Sequence, residues 1–239
     1  MRILICITIF LFQISYVHAQ TKIISEDSTI QKLMRQKNVD KSLKYPDIWF
    51  RQGEKYYYGQ EETLDYERAY QYWQEAAEKN NYAPAQYGLG LTRLYGRGVS
   101  KNYKEALIWF SKAAAQNYEP AFYRLGALYY EGLGMEKRDP KQARNWFHRA
   151  ALKGDLDATY ALGLIYYNGD GMEKDYVNAF RLWLRCAENN NADAQFNIGT
   201  LYENKKGVEL DIEKAKEWYV KAAEQGHEGA IEALEALGY

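Results

Sequence analysis

The chain has 239 residues and a mass of 27.9 kDa, with Lys+Arg 31 against Asp+Glu 32 and a formal net charge of -1. That balance excludes the basic excess of a nucleic-acid binder and the acidic tract of a charged tail, and the length allows one or two domains. One residue type stands out, Tyr 23; its rigid apolar ring with a polar tip suits helix packing and partner surfaces alike.

The first element reads as a targeting segment. Arg2 supplies a positive start, Ile3 to Phe12 is apolar, and "QISYVHAQ" follows with Val17 and Ala19 at the small-residue positions. This pattern predicts a secretory signal peptide over residues 1–19, cleaved after Ala19. The apolar run is short for the ~30 Å of a bilayer core, and no later segment is apolar enough to span one. Cys6 leaves with the signal peptide. The mature chain then keeps one cysteine, Cys186, forms no internal disulfide, and is held by packing alone. Residues 20–45 are polar and lysine-rich, with a patch at Ile30, Leu33 and Met34 and a helix start at Thr29. They read as either a flexible arm or a short capping helix.

From about Pro46 the chain repeats. Segments "APAQYGLG", "EPAFYRLG", "LDATYALG" and "ADAQFNIG" align, and their alanines Ala85, Ala121, Ala158, Ala194 and Ala230 are 36, 37, 36 and 36 residues apart. Each unit predicts two helices. Helix A carries apolar residues at i, i+4 and i+7, as in Ala121, Leu125 and Leu128. Its interior glycines, Gly90, Gly126, Gly163 and Gly199, each cost ~1 kcal/mol against alanine, so a close approach of a neighbouring helix is expected there. Helix B opens at a capping side chain, Asp65, Asn102, Asp139, Asp175 or Asp211, four residues before an alanine. Glu105 and Gln142 resemble the far half of a capping box. Aromatic residues and a small pair follow, and each helix B is expected to end at Asn80, Asn117, Gly154, Asn190 or Gly226, residues that accept the left-handed conformation. Cys186 takes one of the alanine positions and reads as a small buried hydrophobe.

Phrases such as "AQYGLG", "YYEGLGMEKRDPKQARNWFHRAALKG" and "DIEKAKEWYVKAAEQGHEGA" resemble the Sel1-like repeat family of tetratricopeptide-related helical repeats, and suggest an exported bacterial member. The resemblance covers about Pro46 to Tyr239. It departs in the first copy, where "EKYYYGQEETLDYERA" lacks the second loop glycine, and in the fifth, where Lys205 replaces the first. It implies an all-α fold, a right-handed α-solenoid superhelix with a concave inner face. The repeats fall at about 46–82, 83–118, 119–155, 156–191 and 192–228, with a C-terminal capping helix at 229–239.

Enzyme signals are thin. The two mature histidines, His148 and His227, lie in different repeats, no His/Cys cluster suggests a metal, and no GxSxG elbow appears. No cofactor or metal is expected. Some cysteine-rich relatives are associated with β-lactam binding or hydrolysis; this chain lacks their paired cysteines, which leaves a β-lactam or cell-wall enzyme as the rival class. The resemblance instead implies a monomeric protein-binding module whose helix-A residues line the groove. Counted from each Leu-Gly, one column holds Phe50, Tyr87, Tyr123, Tyr160 and Phe196, read as packing as much as binding. A second holds Tyr57, Leu94, Tyr130, Tyr167 and Glu203, variable as a partner-reading surface would be. Arg93 and Arg124 stand nearby as pairing sites for an acidic partner. The site expected for a protein partner is therefore Tyr57, Tyr87, Arg93, Tyr123, Arg124, Tyr130, Tyr160, Tyr167 and Glu203. Export places the protein in the periplasm or outside the cell. The family's roles include scaffolding, envelope signalling and host interaction. A narrower role implied by the resemblance is an immunity protein that neutralises a type VI secretion effector such as a lipase.

Overall fold

The computed structural model describes residues 46–59 and 64–238. Residues 1–45, where the sequence predicts a signal peptide and then a flexible arm or capping helix starting at Thr29, lie outside the described residues, as do 60–63 and Tyr239. Eleven helices run through the described part. The A helices are α1 (Pro46–Tyr58), α3 (Ala83–Tyr95), α5 (Pro120–Glu131), α7 (Leu156–Asn168) and α9 (Ala192–Glu203). The B helices are α2 (Tyr66–Asn80), α4 (Tyr103–Ala115), α6 (Pro140–Leu152), α8 (Tyr176–Glu188) and α10 (Ile212–Ala223), and α11 (Glu228–Ala236) closes the array. Each helix packs on the next in sequence, giving a solenoid of five helical hairpins and a terminal helix.

Every B helix starts as the capping pattern predicts. The side chains of Asp65, Asn102, Asp139, Asp175 and Asp211 accept backbone N–H bonds at 2.9–3.1 Å from residues three positions on. The reciprocal capping-box bond is absent. The N–H groups of Asn102 and Asp139 instead donate to the carbonyls of Arg93 and Tyr129, both at 2.8 Å, and those of Asp65, Asp175 and Asp211 reach Tyr56, Tyr166 and Tyr202 in the same way. One residue thus caps helix B and ties down the end of helix A. The left-handed residue after the B helices falls at Asn117, Gly154, Asn190 and Gly226 as expected, but at Asn81 (φ 51°) rather than Asn80 in the first copy. There α2 runs to 15 residues, against 12 or 13 in the other B helices.

The helix-A glycines are explained by a ring. A Cβ on Gly53, Gly90, Gly126, Gly163 or Gly199 would lie 2.3–2.5 Å from the nearest atom of Trp73, Phe110, Phe147, Trp183 or Tyr219 respectively. Each ring belongs to helix B of the same repeat, four residues after its alanine, and each is at most 3% exposed. The close approach is therefore a side chain lying on bare backbone. The indoles are also satisfied, since Trp73 and Trp183 donate to the carbonyls of Phe50 and Tyr160 at 3.0 and 3.2 Å. Burying such a ring contributes on the order of 2–3 kcal/mol, enough to offset the propensity lost at the glycine.

The second loop glycine has a different neighbour. A Cβ on Gly98, Gly134 or Gly207 would strike the first turn of the preceding repeat's helix B, at Tyr66, Tyr103 and Tyr176. In the fifth copy Lys205 holds the left-handed conformation itself, at φ 51°.

Candidate functional site

The column that varies from repeat to repeat proves to span the seams between repeats. Tyr57 accepts a hydrogen bond from Arg97 Nη1 at 2.9 Å. Tyr130 donates to Asp170 Oδ2 at 2.9 Å, and Lys206 Nζ donates to the Tyr167 hydroxyl at 2.7 Å. Each partner lies in the loop after the next helix A, seven residues past its glycine. At the remaining seam the same two positions hold Leu94 and Leu133, both packed against the core. Variation along this column is therefore matched across each seam. Tyr57 is 3% exposed, whereas Tyr130 and Tyr167 keep part of their surface open. Burial first, and the Asp170 hydrogen bond second, push the Tyr130 hydroxyl up to about 12. Glu203, last in the column, accepts from Tyr219 at 2.6 Å within its own repeat.

The uniformly aromatic column packs on helix B. Tyr87, Tyr123 and Tyr160 meet Phe110, Phe147 and Trp183 at ring-centroid distances of 5.4, 5.6 and 6.2 Å. Phe50 and Phe196 do the same against Trp73 and Tyr219. Tyr87 is 8% exposed. The hydroxyl tips still reach the next repeat: Tyr87 accepts from Arg124 Nε at 3.4 Å and Tyr160 from Asn197 Nδ2 at 3.1 Å. Burial pushes Tyr123 up to about 12.

The two arginines part company. Arg93 pairs with Glu105 at 2.7 Å and donates to Tyr70 and to the Ser100 carbonyl, both at 3.3 Å. Its charge is paired with Glu105 and both its Nη atoms donate hydrogen bonds. Arg124 instead lies on the helix-A face, donating to the hydroxyls of Tyr87 and Tyr95.

Around Arg124 runs a stripe that the sequence reading did not select. Positions two before, one after and five after each helix-A glycine share one helical face, at i, i+3 and i+7. In the last three repeats they are Arg124, Ala127 and Glu131; Ala161, Leu164 and Asn168; and Asn197, Thr200 and Asn204, none of them buried. Tyr95 and Tyr58 continue the stripe toward the N-terminal repeats. In the last two repeats its signal was present in the sequence as small and neutral polar residues, Leu164 apart, on helices otherwise packed with Leu, Ala and aromatic residues. Asp157 lies beside this stripe. Burial and the neighbouring Asp155 raise its carboxyl to about 7 against the opposing pull of Arg124. Glu54, on the same stripe in the first repeat, is raised to about 7 by burial, opposed by Arg51.

Cys186 and His227 are both engaged in structural contacts. Cys186 is a free thiol, 0% exposed, whose Sγ donates to the Leu156 carbonyl at 3.4 Å. Desolvation pushes it up to about 12, which keeps it protonated and weakly nucleophilic. His227 caps α11, its Nδ1 accepting from Ala230 N at 3.2 Å. It also stacks on Phe196 at 4.6 Å and lies 3.3 Å from Asp193. His148 is exposed on α6. Among the described residues no group of three or more His, Cys, Asp or Glu is placed to hold a metal ion, and no helix is long and apolar enough to cross a membrane.

Hairpins stacked in register, with glycine-on-ring contacts inside each and matched side chains across each seam, define a helical repeat protein with a partly open helix-A face. Sel1 repeats match residues 53–81, 83–118, 120–155, 156–191 and 192–227, and the chain belongs to the Sel1 repeat family. It is similar to a Sel1 repeat protein from Oxalobacter formigenes, at 35% identity and a TM-score of 0.71, over 80% of this chain and 75% of that one. It is also similar to c5321, a protective antigen of uropathogenic Escherichia coli strains with an SLR fold, at 32% identity and a TM-score of 0.72. That match covers 78% of this chain but 39% of the E. coli chain, so the present sequence spans about two fifths of that relative's length. No curated protein matches the chain.

Proposed function

We propose that this is an exported, non-catalytic binding module that holds a protein partner against the helix-A face. Sel1 repeats generally mediate protein–protein interactions. The observation that carries the reading for this chain is the state of its helix-A side chains. Tyr95, Arg124, Tyr130 and Tyr167 are partly exposed yet fixed by hydrogen bonds that cross repeat seams. Side chains already ordered in the free protein lose little entropy on binding, and tyrosine and arginine are the residues that dominate interface energies.

Export rests on the signal-like residues 1–19 and makes the partner an envelope or secreted protein. An antibacterial toxin neutralised by an immunity protein is the narrow form of that reading. The test is capture of the cognate partner from cell-envelope extract by purified mature protein. The double variant Tyr130→Ala, Tyr167→Ala should lose capture while its helical circular dichroism is retained. Capture at wild-type level by a folded double variant would remove these residues from the interface. Turnover of nitrocefin or peptidoglycan, abolished by a single carboxylate substitution, would overturn the non-catalytic reading.

A further inference from the structure

We propose that Arg97 and Arg124, set on either side of Tyr95, anchor the acidic side chains of a peptide segment of the protein partner. The proposal rests on the helix-A binding reading above and names the chemistry of what binds there.

Tyr95 connects the two arginines. Arg124 Nη1 donates to its hydroxyl at 3.3 Å, and the Arg97 guanidinium lies 5.2 Å from its ring centroid. Arg97 is also held 5.2 Å from the Tyr57 ring and 5.3 Å from the Tyr66 ring, and it donates to the Tyr57 hydroxyl at 2.9 Å. Arg124 sits 5.8 Å from the Tyr123 ring and donates to Tyr87. Aromatic faces and phenol oxygens thus orient both cations without neutralising either. Among the described residues no carboxylate lies within ion-pair distance of Arg97 or Arg124, whereas Arg68, Arg93 and Arg138 each have one. Asp157 faces Arg124, but its raised carboxyl carries only part of its charge at neutral pH.

A guanidinium has five N–H donors. One of Arg97's and two of Arg124's are used in these bonds, and both residues are partly exposed, with the Arg124 guanidinium the more deeply set of the two. The remaining forks suit carboxylates, which accept two parallel N–H bonds from one arginine. A nucleic acid would need an extended basic track. Here the stripe continues through Glu131, Asn168 and Asn204, and the chain's net charge is -1. Side-chain amides instead suit the backbone of an extended peptide.

The probe is a fluorescein-labelled peptide alternating glycine and aspartate, with its glycine–asparagine counterpart as control, read by fluorescence polarisation. The aspartate peptide should bind at low ionic strength at least about tenfold more tightly than the control, and weaken at about 0.3 M salt as screening shortens the reach of the charges. Arg97→Gln and Arg124→Gln should each weaken it about fivefold or more, the loss expected when a charged hydrogen bond is removed. Arg124→Lys, which keeps charge but not the fork, should fall between. Circular dichroism establishes that each variant is folded. Equal binding of the two peptides, or wild-type affinity in a folded Arg97→Gln, Arg124→Gln double variant, would overturn the proposal. So would displacement by inorganic phosphate at concentrations where aspartate peptide of equal charge fails, which would mark a phosphate site. Failure here with Tyr130- and Tyr167-dependent capture intact leaves the helix-A face as the docking surface and removes only the acidic anchor. Loss of both removes the docking surface as well.

Discussion

The contacts inside each repeat and the contacts between repeats follow different rules. Inside, one arrangement recurs five times: an aromatic ring of helix B lies on a helix-A glycine, from Gly53 under Trp73 to Gly199 under Tyr219. Between repeats the positions recur but the chemistry changes: arginine on tyrosine, leucine at both positions, tyrosine to aspartate, lysine to tyrosine. The uniform contact sets the hairpin. The varied contacts make each seam different from its neighbours, which disfavours pairing of the wrong repeats. Sequence variation in a repeat array is therefore not by itself a mark of partner recognition.

The sharpest way to break this comparison is to put a side chain under the ring. Gly126→Val places its Cβ 2.5 Å from Phe147, and overpacking of this kind costs about 1–3 kcal/mol plus strain. Urea denaturation should show that loss, and Gly154→Ala, with open space around its Cβ but φ +92°, should lose only about 1 kcal/mol from backbone strain. Equal losses would deny the ring contact its role.

Seam contacts should be worth less. Asp170 accepts from both Tyr130 and Arg138, at 2.9 and 3.1 Å, so Asp170→Ala should cost about 1–2 kcal/mol. A double-mutant cycle with Tyr130→Phe should return a coupling of about 1 kcal/mol. The same cycle on Leu94 and Asp170, from different seams, should be additive.

Asp157 and Glu54 tie stability to pH. Each is raised from its ordinary value to about 7, so the folded protein keeps protons that the unfolded chain releases. Their contribution is present at low pH and is lost as pH rises from about 4 to 7, then levels off. Asp157→Asn should remove part of that decline and stabilise the protein at pH 7.5 by on the order of 1 kcal/mol, the shift being discounted for partial exposure. A steeper decline in the variant would contradict the burial of this carboxyl.

The smallest effect is at Cys186. Its counterparts in the other repeats are Ala76, Ala113, Ala150 and Ala222, all essentially unexposed. Cys186→Ala should change stability by less than about 1 kcal/mol, and the native thiol should resist thiol reagents until the protein unfolds.

Most of the hairpin was legible in sequence because its signals are local. Capping residues, the four-residue step to an alanine, and glycines at a fixed place all act within one helix or one turn. What the glycines faced was not legible, since the ring that needs them lies about twenty residues away on another helix. The site was harder still. Arg93 and Arg124 look equivalent in sequence, but Glu105 takes the first and tyrosine hydroxyls hold the second. Arg97, Asp170 and Lys206 were missed because they lie in loops, and their partners stand 39 or 40 residues earlier. Only the stacking of one repeat on the next brings them together.

The central claim is that partners meet helix A and not helix B. A photo-crosslinking residue at Asn168 or Asn204 tests the first face, and one at Ile108 or Val177, 47% and 46% exposed on B helices, tests the second. Crosslinks to the captured partner from Asn168 and Asn204 alone are the predicted result. Crosslinks from Ile108 and Val177 alone would contradict it.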